Sequence, residues 1–422
     1  MRMKNELRAV AGAAVVALLV AGCGSNPVPP PVMAHGVAAR EPLADPRPYG
    51  TADAAFGLDV LGAVCRSDPR ANLVLSPSSL ASGLGMAYLG ARRGTARAMA
   101  GVLHLPAAGG QALQAGLQAR SAALRRLGGP GVTLSASDQV WADPALRTER
   151  AYLNAVATGY DAGLAKAPLL TDPEQARQEI NQAIATATKG QIPQLLSPGA
   201  LDDQIGWVLT DALYLHAAWA TPFDPEETSP GPFTTAGGRQ VTAPFMVGGS
   251  YQAVSAGGWT AVWLPYRGGK LGMEALLPPA GSAGCALPAA AALGAMTSRL
   301  ASAGPGTLTR SVSFPKVSIA TQVSMKPVLT GLGIGVAFTQ GADFTGLSRQ
   351  ACCIGLVEHA ATLDVGEKGT VASAATAVGM QATAGHVFPP MVTFDRPYLM
   401  VVTDRATGEP LFMARVADPA TR

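Results

Sequence analysis

Five histidines, His35, His104, His216, His359 and His386, are the side chains of this 422-residue chain that titrate ordinarily near neutral pH. None pairs with another at the spacing of a zinc-peptidase helix. There is no Gly-x-Ser-x-Gly elbow, no phosphate-binding Walker loop and no dinucleotide fingerprint. One spacing imitates a catalytic motif: Ser313-Phe314-Pro315-Lys316 is a Ser-x-x-Lys, which exported acyl-transfer enzymes place on a helix so that the amine meets the hydroxyl one turn away. Pro315 and the β-patterned residues around it argue against that helix. Ser137-Asp138-Gln139 comes before it rather than after, and Lys368-Gly369-Thr370 scrambles the remaining triplet. The cysteines are scattered and no histidine flanks them at ligand spacing, so no metal or cofactor is expected.

Composition narrows the classes further. Hydrophobic residues make up 48% and charged residues 14%, which is not a disordered composition. A formal charge of +3 with no basic cluster beyond Arg92, Arg93 and Arg97 gives little affinity for nucleic acid. Residues 1–22 hold Arg2, Lys4, Arg8 and Glu6, so much of that charge lies in a leader-like segment. Its basic start and the apolar run Ala9–Val20 read as an export signal, too short for a permanent span. The run ends in Leu19-Val20-Ala21-Gly22-Cys23, which resembles the bacterial lipoprotein box. The expectations are a signal over 1–22, acylation of Cys23, a Pro-rich tether over 23–48, and a folded part beginning near Tyr49. Such a protein sits on the outer face of a bacterial cytoplasmic membrane, or is released. The alternative is an ordinary secretory signal. With Cys23 acylated, Cys65, Cys285, Cys352 and Cys353 allow three full disulfide pairings, and the sequence does not choose among them.

From Tyr49 onward the periodicity is helical: Ala54–Cys65, a segment opening at Ser76-Pro77-Ser78-Ser79, then Arg97–Leu103, Ala112–Leu127, Arg150–Val156 and Pro173–Thr188. Val132–Trp141 reads as one strand. After residue 205 strands dominate: Trp207–Leu215, Ala261–Leu264, Met273–Leu277, Val312–Phe314, Ala361–Val365, Met391–Phe394, Tyr398–Val402 and Leu411–Val416. Helices first and strands later, with no repeat and no internal linker, indicate a single α+β domain over 49–422.

The stretch Glu367–Val378 follows a strand, starts with a charged turn and then avoids every bulky side chain. A flexible linker is one reading. Its Thr and Val fit another, a segment that is sometimes exposed and sometimes a central strand, with both faces small enough to slide between existing strands.

Here the sequence resembles the serpin family, from about Phe56 to Pro419. The resemblance is carried by Asn72–Leu80, Gly90–Thr95, Ile180-Asn181 with Thr188–Ile192, Leu213–Trp219 with Phe223 and Phe233, Leu264–Gly268, Ala342–Gly346 and Phe394–Tyr398. It implies a serpin fold with a large central mixed or antiparallel sheet, two smaller sheets, about nine helices and an exposed reactive loop near 367–390. It also implies a monomeric inhibitor rather than an enzyme, whose partner is a serine or sometimes a cysteine protease. The protease cleaves the loop and is trapped as an acyl-enzyme while the loop inserts into the sheet. Glu367, Gly369, Thr370, Val371, Ala372, Ser373, Ala374 and Ala375 take the place of the family's loop hinge, with Val371 where a glutamate is usual and Ser373 interrupting the alanines. Ser76, Ser79, Asp211 and His359 match the sheet-opening shutter, with Asp211 in place of an asparagine. That carboxylate would pair with His359, either making insertion pH-sensitive or closing a static hydrogen-bond cluster. Trp219 matches the family's aromatic at the top of the sheet. The cleaved bond falls within Thr383, Ala384, Gly385 and His386: Thr383–Ala384 counting forward, Gly385 or His386 counting back. The absence of Arg and Lys there points to elastase-like or subtilisin-like targets. A non-inhibitory surface-binding member of the family remains the alternative, and an exported Ser-x-x-Lys enzyme a remote one.

Overall fold

Ser76 ends a strand and starts a helix in one step: its hydroxyl accepts the Ser79 N–H at 3.3 Å, and Pro77 supplies the first helical φ. Asp172 and Pro173 repeat the device further on, the carboxylate accepting the Gln175 N–H at 2.9 Å. The computed structural model of the chain describes residues 31–107, 109–282, 284–304, 307–370 and 390–421. In the first half these form β1 (Val32–Ala34), α1 (Arg47–Ser67), β2 (Leu73–Leu75), α2 (Pro77–Gly90), α3 (Arg93–Val102) and α4 (Gly110–Arg125), followed by β3 (Val132–Ala136), β4 (Gln139–Ala142), α5 (Arg150–Tyr160), β5 (Leu164–Lys166), α6 (Pro173–Ala187) and β6 (Trp207–Ala218). The second half adds β7 (Ser229–Thr234), β8 (Gln240–Ala256), β9 (Trp259–Pro265), β10 (Leu271–Leu277), α7 (Ala290–Ala301), β11 (Thr309–Pro315), β12 (Val317–Ser324) and α8 (Met325–Leu329). It closes with β13 (Leu356–Gly366), β14 (Gly369–Thr370), β15 (Met391–Thr393), β16 (Tyr398–Asp404) and β17 (Pro410–Val416).

Two sheets organise these elements. The first runs β1-β5-β4-β6-β14-β13-β12, with β3 also on β6; the second runs β15-β11-β8-β9-β10-β16-β17-β2, with β7 on β8. The two smaller sheets expected from the resemblance are therefore one hydrogen-bonded path. The reason is β8, whose 17 residues pair first with β7, then with β11 and finally with β9. It changes partners at Phe245 and at Gln252, and between them, at Gly248 and Gly249, the β11 register shifts between Arg310 and Val312.

The inner face of the large sheet (Leu213, Leu215 and Ala217 of β6; Ala361, Leu363 and Val365 of β13) packs on Val262, Met273, Phe314 and Phe412 of the second sheet. On the outer face, Val208, Ala212 and Ala360 lie under Ile180 and Ile184 of α6. Buried Asn181 ties down the exit of α6, accepting from the N–H groups of Leu195 and Leu196 at 2.9 and 2.8 Å. Elsewhere a buried Arg120 on α4 donates to Asp53 of α1 and to Glu409 before β17, both at 2.7 Å. Among the cysteines, Cys65 of α1 is bridged to Cys285, leaving the neighbours Cys352 and Cys353 paired with each other.

The expected boundaries need two corrections. The strand expected over Val132–Trp141 is two strands, β3 and β4, broken at Ser137-Asp138. The folded part does not begin near Tyr49. Val32–Ala34 pairs antiparallel with β5, so three residues of the expected tether are part of the sheet. A Pro-rich segment cannot build a core, but an edge strand needs only backbone groups to pair with an open neighbour.

Candidate functional site

The strands β6 and β13 run parallel and pair directly from Leu356 opposite Val208 up to Ala361 opposite Leu213. Above that pair they part. The next contact between them is indirect: β14 sits in the mouth, Gly369 opposite Ala218 of β6 and Gly366 of β13, Thr370 opposite Ala217 and Val365. Among the described residues, those at 214–216 pair only with β3 and those at 362–364 only with β12, between the zipped base and this two-residue wedge. The sheet is thus split at its top and already holds the first residues of a further strand.

The sequence explains why the wedge fits. Gly369 adopts φ 145°, and a Cβ there would collide with the carbonyl of Ala217. Thr370 is fully buried, its hydroxyl 2.5 Å from that of Tyr266. Tyr266 stacks on Trp219, ring centroids 4.5 Å apart. Trp219, 1% exposed, donates its indole N–H to Gly366 O at 2.9 Å and its backbone N–H to Lys368 O at 3.0 Å. It therefore grips the turn between β13 and β14 from both ends. Glu367 caps the arrangement: its carbonyl accepts from Phe223 N–H at 2.8 Å, and its carboxylate meets Lys316 Nζ at 3.0 Å and the Thr228 hydroxyl at 3.1 Å. Partial burial opposes ionisation of Glu367, but its own backbone N–H, Lys316 and Thr228 more than offset this and hold the carboxyl below the usual range.

Lys316 is the lysine of the Ser-x-x-Lys spacing. Ser313 lies in strand β11 and Lys316 is engaged by Glu367, so no helix turn brings amine to hydroxyl, and that enzyme reading falls.

The four shutter residues come together just below the split. Asp211 and His359 face each other across β6 and β13, with His359 Nδ1 2.5 Å from Asp211 Oδ1. On the other side of the ring, Ser76 N–H donates to Nε2 at 3.2 Å. Nε2 is then an acceptor, so the ring proton sits on Nδ1 facing the carboxylate, and a second proton would point at the Ser76 N–H. That arrangement favours the static cluster over a pH-gated pair. Ser79 donates its backbone N–H to Ser76 and its hydroxyl to Asp138, a residue the sequence showed only as part of a decoy dipeptide. Enclosure by protein and, second, the nearby Asp211 charge push the Asp138 carboxyl well above the usual range. Asp138 stands at the break between β3 and β4, and that interruption of an otherwise apolar strand is the signal that could have found it. Tyr266 lay inside a motif without a role assigned. Val371, Ala372, Ser373, Ala374 and Ala375 of the expected hinge, the window Thr383, Ala384, Gly385 and His386, and Cys23 lie outside the described residues. The described residues hold no group of three or more metal-ligating side chains.

A family model described as serpin (serine protease inhibitor) matches residues 51–419. The chain belongs to the serpin family. Among its sequence relatives is the leukocyte elastase inhibitor of Bos taurus, 28% identical over 386 residues, which cover 87% of this chain and 98% of the relative. Serpin B6 of Macaca fascicularis is also 28% identical, with 87% and 98% covered. Among solved structures, maspin superposes with a TM-score of 0.78 at 19% identity, covering 89% of this chain and 99% of that one. The thermophilic serpin tengpin in its native state gives 0.76 at 21% identity, with 91% and 97% covered. The fold is the serpin fold, and the chain belongs with protease inhibitors rather than enzymes.

Proposed function

We propose that this serpin is an inhibitory one, a bait whose cleavage by a serine or cysteine protease ends in a trapped acyl-enzyme. The observation that carries the proposal is the seat of Gly369 and Thr370 in the mouth between β6 and β13, above strand segments whose facing sides have no partner among the described residues. In this reading the protease nucleophile bonds to the scissile carbonyl carbon, the peptide C–N bond breaks, and the new amine leaves carrying a proton. Residues from Val371 onward then fill the split. Val371 and Ser373, though departures from the family pattern, are small enough to enter. The window Met380–Val387 has no Arg or Lys and many small residues, which supports elastase-like or subtilisin-like targets. The bond is Thr383–Ala384 on the forward count, or follows Gly385 or His386 on the backward count. The lipoprotein-like box supports acylation of Cys23 and an exported, membrane-held inhibitor.

The test is a panel of elastase-like, subtilisin-like and trypsin-like proteases. An SDS-stable complex with one of the first two, and a released C-terminal peptide whose mass begins within 384–387, is the expected result. Cleavage without any stable complex would instead identify a non-inhibitory member whose loop is only a substrate.

A further inference from the structure

Residues 31–46 are not a spacer but a built seat. Val32 lies opposite Lys166 and Ala34 opposite Leu164, so β1 covers the open edge of β5. Beyond it, Val37 N–H donates to Asn154 Oδ1 at 2.8 Å, Ala39 N–H to Thr158 Oγ1 at 2.9 Å and Glu41 N–H to Gln118 Oε1 at 3.1 Å. Gln118 returns a bond from Nε2 to Ala39 O at 2.9 Å. Between the two sets, Gly36 crosses α5 so closely that a Cβ would run into the backbone of Leu153 and Asn154. The register fixes the direction of entry. Lys166 is level with Ala142 of β4, and Ala142 with Trp207, the first residue of β6. Val32 therefore enters at the end of the sheet opposite Trp219 and the hinge. Since β6 has 12 residues, the two ends are about 36 Å apart at roughly 3.3 Å per residue.

We infer that this docked segment orients the domain on the bilayer: the pole where β6 begins faces the lipid, and Trp219 with the hinge residues Gly369 and Thr370 lies at the far pole. The inference rests on the proposed acylation of Cys23. Between Cys23 and Val32 lie residues 24–31, which reach at most about 30 Å even fully extended. Were the chain undocked as far as α1, the reach would be about 80 Å. To bring the hinge end to the bilayer the domain must roll over and lift Val32 by at least the length of β6. About 80 Å of tether permits that and about 30 Å does not.

The experiment uses the full chain, matured in a bacterial host and reconstituted into phosphatidylethanolamine–phosphatidylglycerol vesicles that carry an acceptor lipid. A donor is attached through a clickable residue at exposed Asp203, just before β6, or at exposed Glu226, near the hinge. Transfer from position 203 should exceed that from 226 several-fold, and Gly36→Val should bring the ratio close to one. The pair Gln118→Ala with Asn154→Ala, on helix surfaces, gives the same undocking if the glycine variant fails to fold. The mass of the N-terminal peptide separates the two readings. Acylated Cys23 with equal transfer from both positions overturns the orientation alone. Unmodified Cys23 with no vesicle binding overturns the anchor and, with it, this inference. A wild-type ratio in both undocked variants shows that the seat does not orient the domain.

Discussion

Thr370 is the residue on which the inhibitory reading turns most directly, because it is already where a successful insertion must pass. It is fully buried between β6 and β13 with one hydroxyl partner, Tyr266. Thr370→Arg would place an unpaired charge in that slot, and burying it is far more expensive than leaving the hinge outside. The variant should still be cleaved within the same window while SDS-stable complex falls at least about tenfold, since even about 1.4 kcal/mol at the insertion step gives that factor. Undiminished complex would detach trapping from this slot. A second residue governs stability rather than function. Glu274 of β10 is buried, with Thr297 donating to Oε2 at 2.9 Å, and burial, partly offset by the Thr297 and Thr403 hydroxyls, pushes its carboxyl up to about 7. In the unfolded chain it titrates near 4.5. Between those values the native state binds more protons than the unfolded state, so stability falls as pH rises through the window. The loss is about 3 kcal/mol by pH 8, at about 1.4 kcal/mol per pH unit. Glu274→Gln should flatten that dependence, which denaturant midpoints at pH 5 and pH 8 will show; an unchanged pH difference would assign it elsewhere.

At the scale of elements, β6 and β13 form a zipper with a closed base and a mouth wedged by β14, and the proposed loop insertion would require the base to open. Ala212 and Ala360 are direct partners in the closed part and both lie under α6. A disulfide between Ala212→Cys and Ala360→Cys should lock the base, leaving cleavage intact and abolishing trapping until reductant is added, with reductant-treated wild type as the control. Trapping by the oxidised double variant would mean that the sheet opens elsewhere. This zipper was largely legible in sequence, because β6 is mostly apolar and the core of β13 alternates buried Ala361, Leu363 and Val365 with Thr362 and Asp364. Other elements were not. In β12 only Val317 and Ile319 are buried on the expected face, as befits an edge strand, and its alternation fades after them. Helix α7 opens on three alanines, with Leu293, Met296 and Leu300 as its buried stripe, so its period is hidden among small side chains. Strand β1 is recognised by backbone pairing to an open edge, which leaves almost no mark on side-chain pattern. The site follows the same division. The shutter histidine, serines and Asp211 were readable as a set, whereas Asp138 and Tyr266 join it only through folding.

At the scale of the whole molecule, the proposed inhibition would complete a sheet whose described strands leave a split between β6 and β13. Among the described residues, 214–216 and 362–364 are paired on one side only, and each backbone hydrogen bond gained on insertion would contribute about 0.5–1.5 kcal/mol. A strand bonded on both sides along most of β6 would gain on the order of 10 kcal/mol. Extending the register set by Gly369 opposite Ala218 and Thr370 opposite Ala217 brings Met380 level with Trp207, the last residue available on β6. Thr383 to His386 then emerge just past that end, the pole at which Val32 enters. A trapped protease would consequently be carried to the side facing the bilayer. A protease domain of about 250 residues is roughly 45 Å across, while the anchor segment allows a gap of at most about 30 Å. Trapping competes with hydrolysis of the acyl-enzyme, so crowding that slows the last part of insertion diverts more inhibitor into plain cleavage. On vesicles the wild-type serpin should thus need more molecules per protease inactivated than it does in detergent. Gly36→Val, which frees residues 31–46 and lengthens the tether, should remove the difference. Titrating one elastase-like protease under the four conditions measures this, and equal stoichiometries on vesicles and in detergent for the wild type would show that the translocated protease does not meet the membrane.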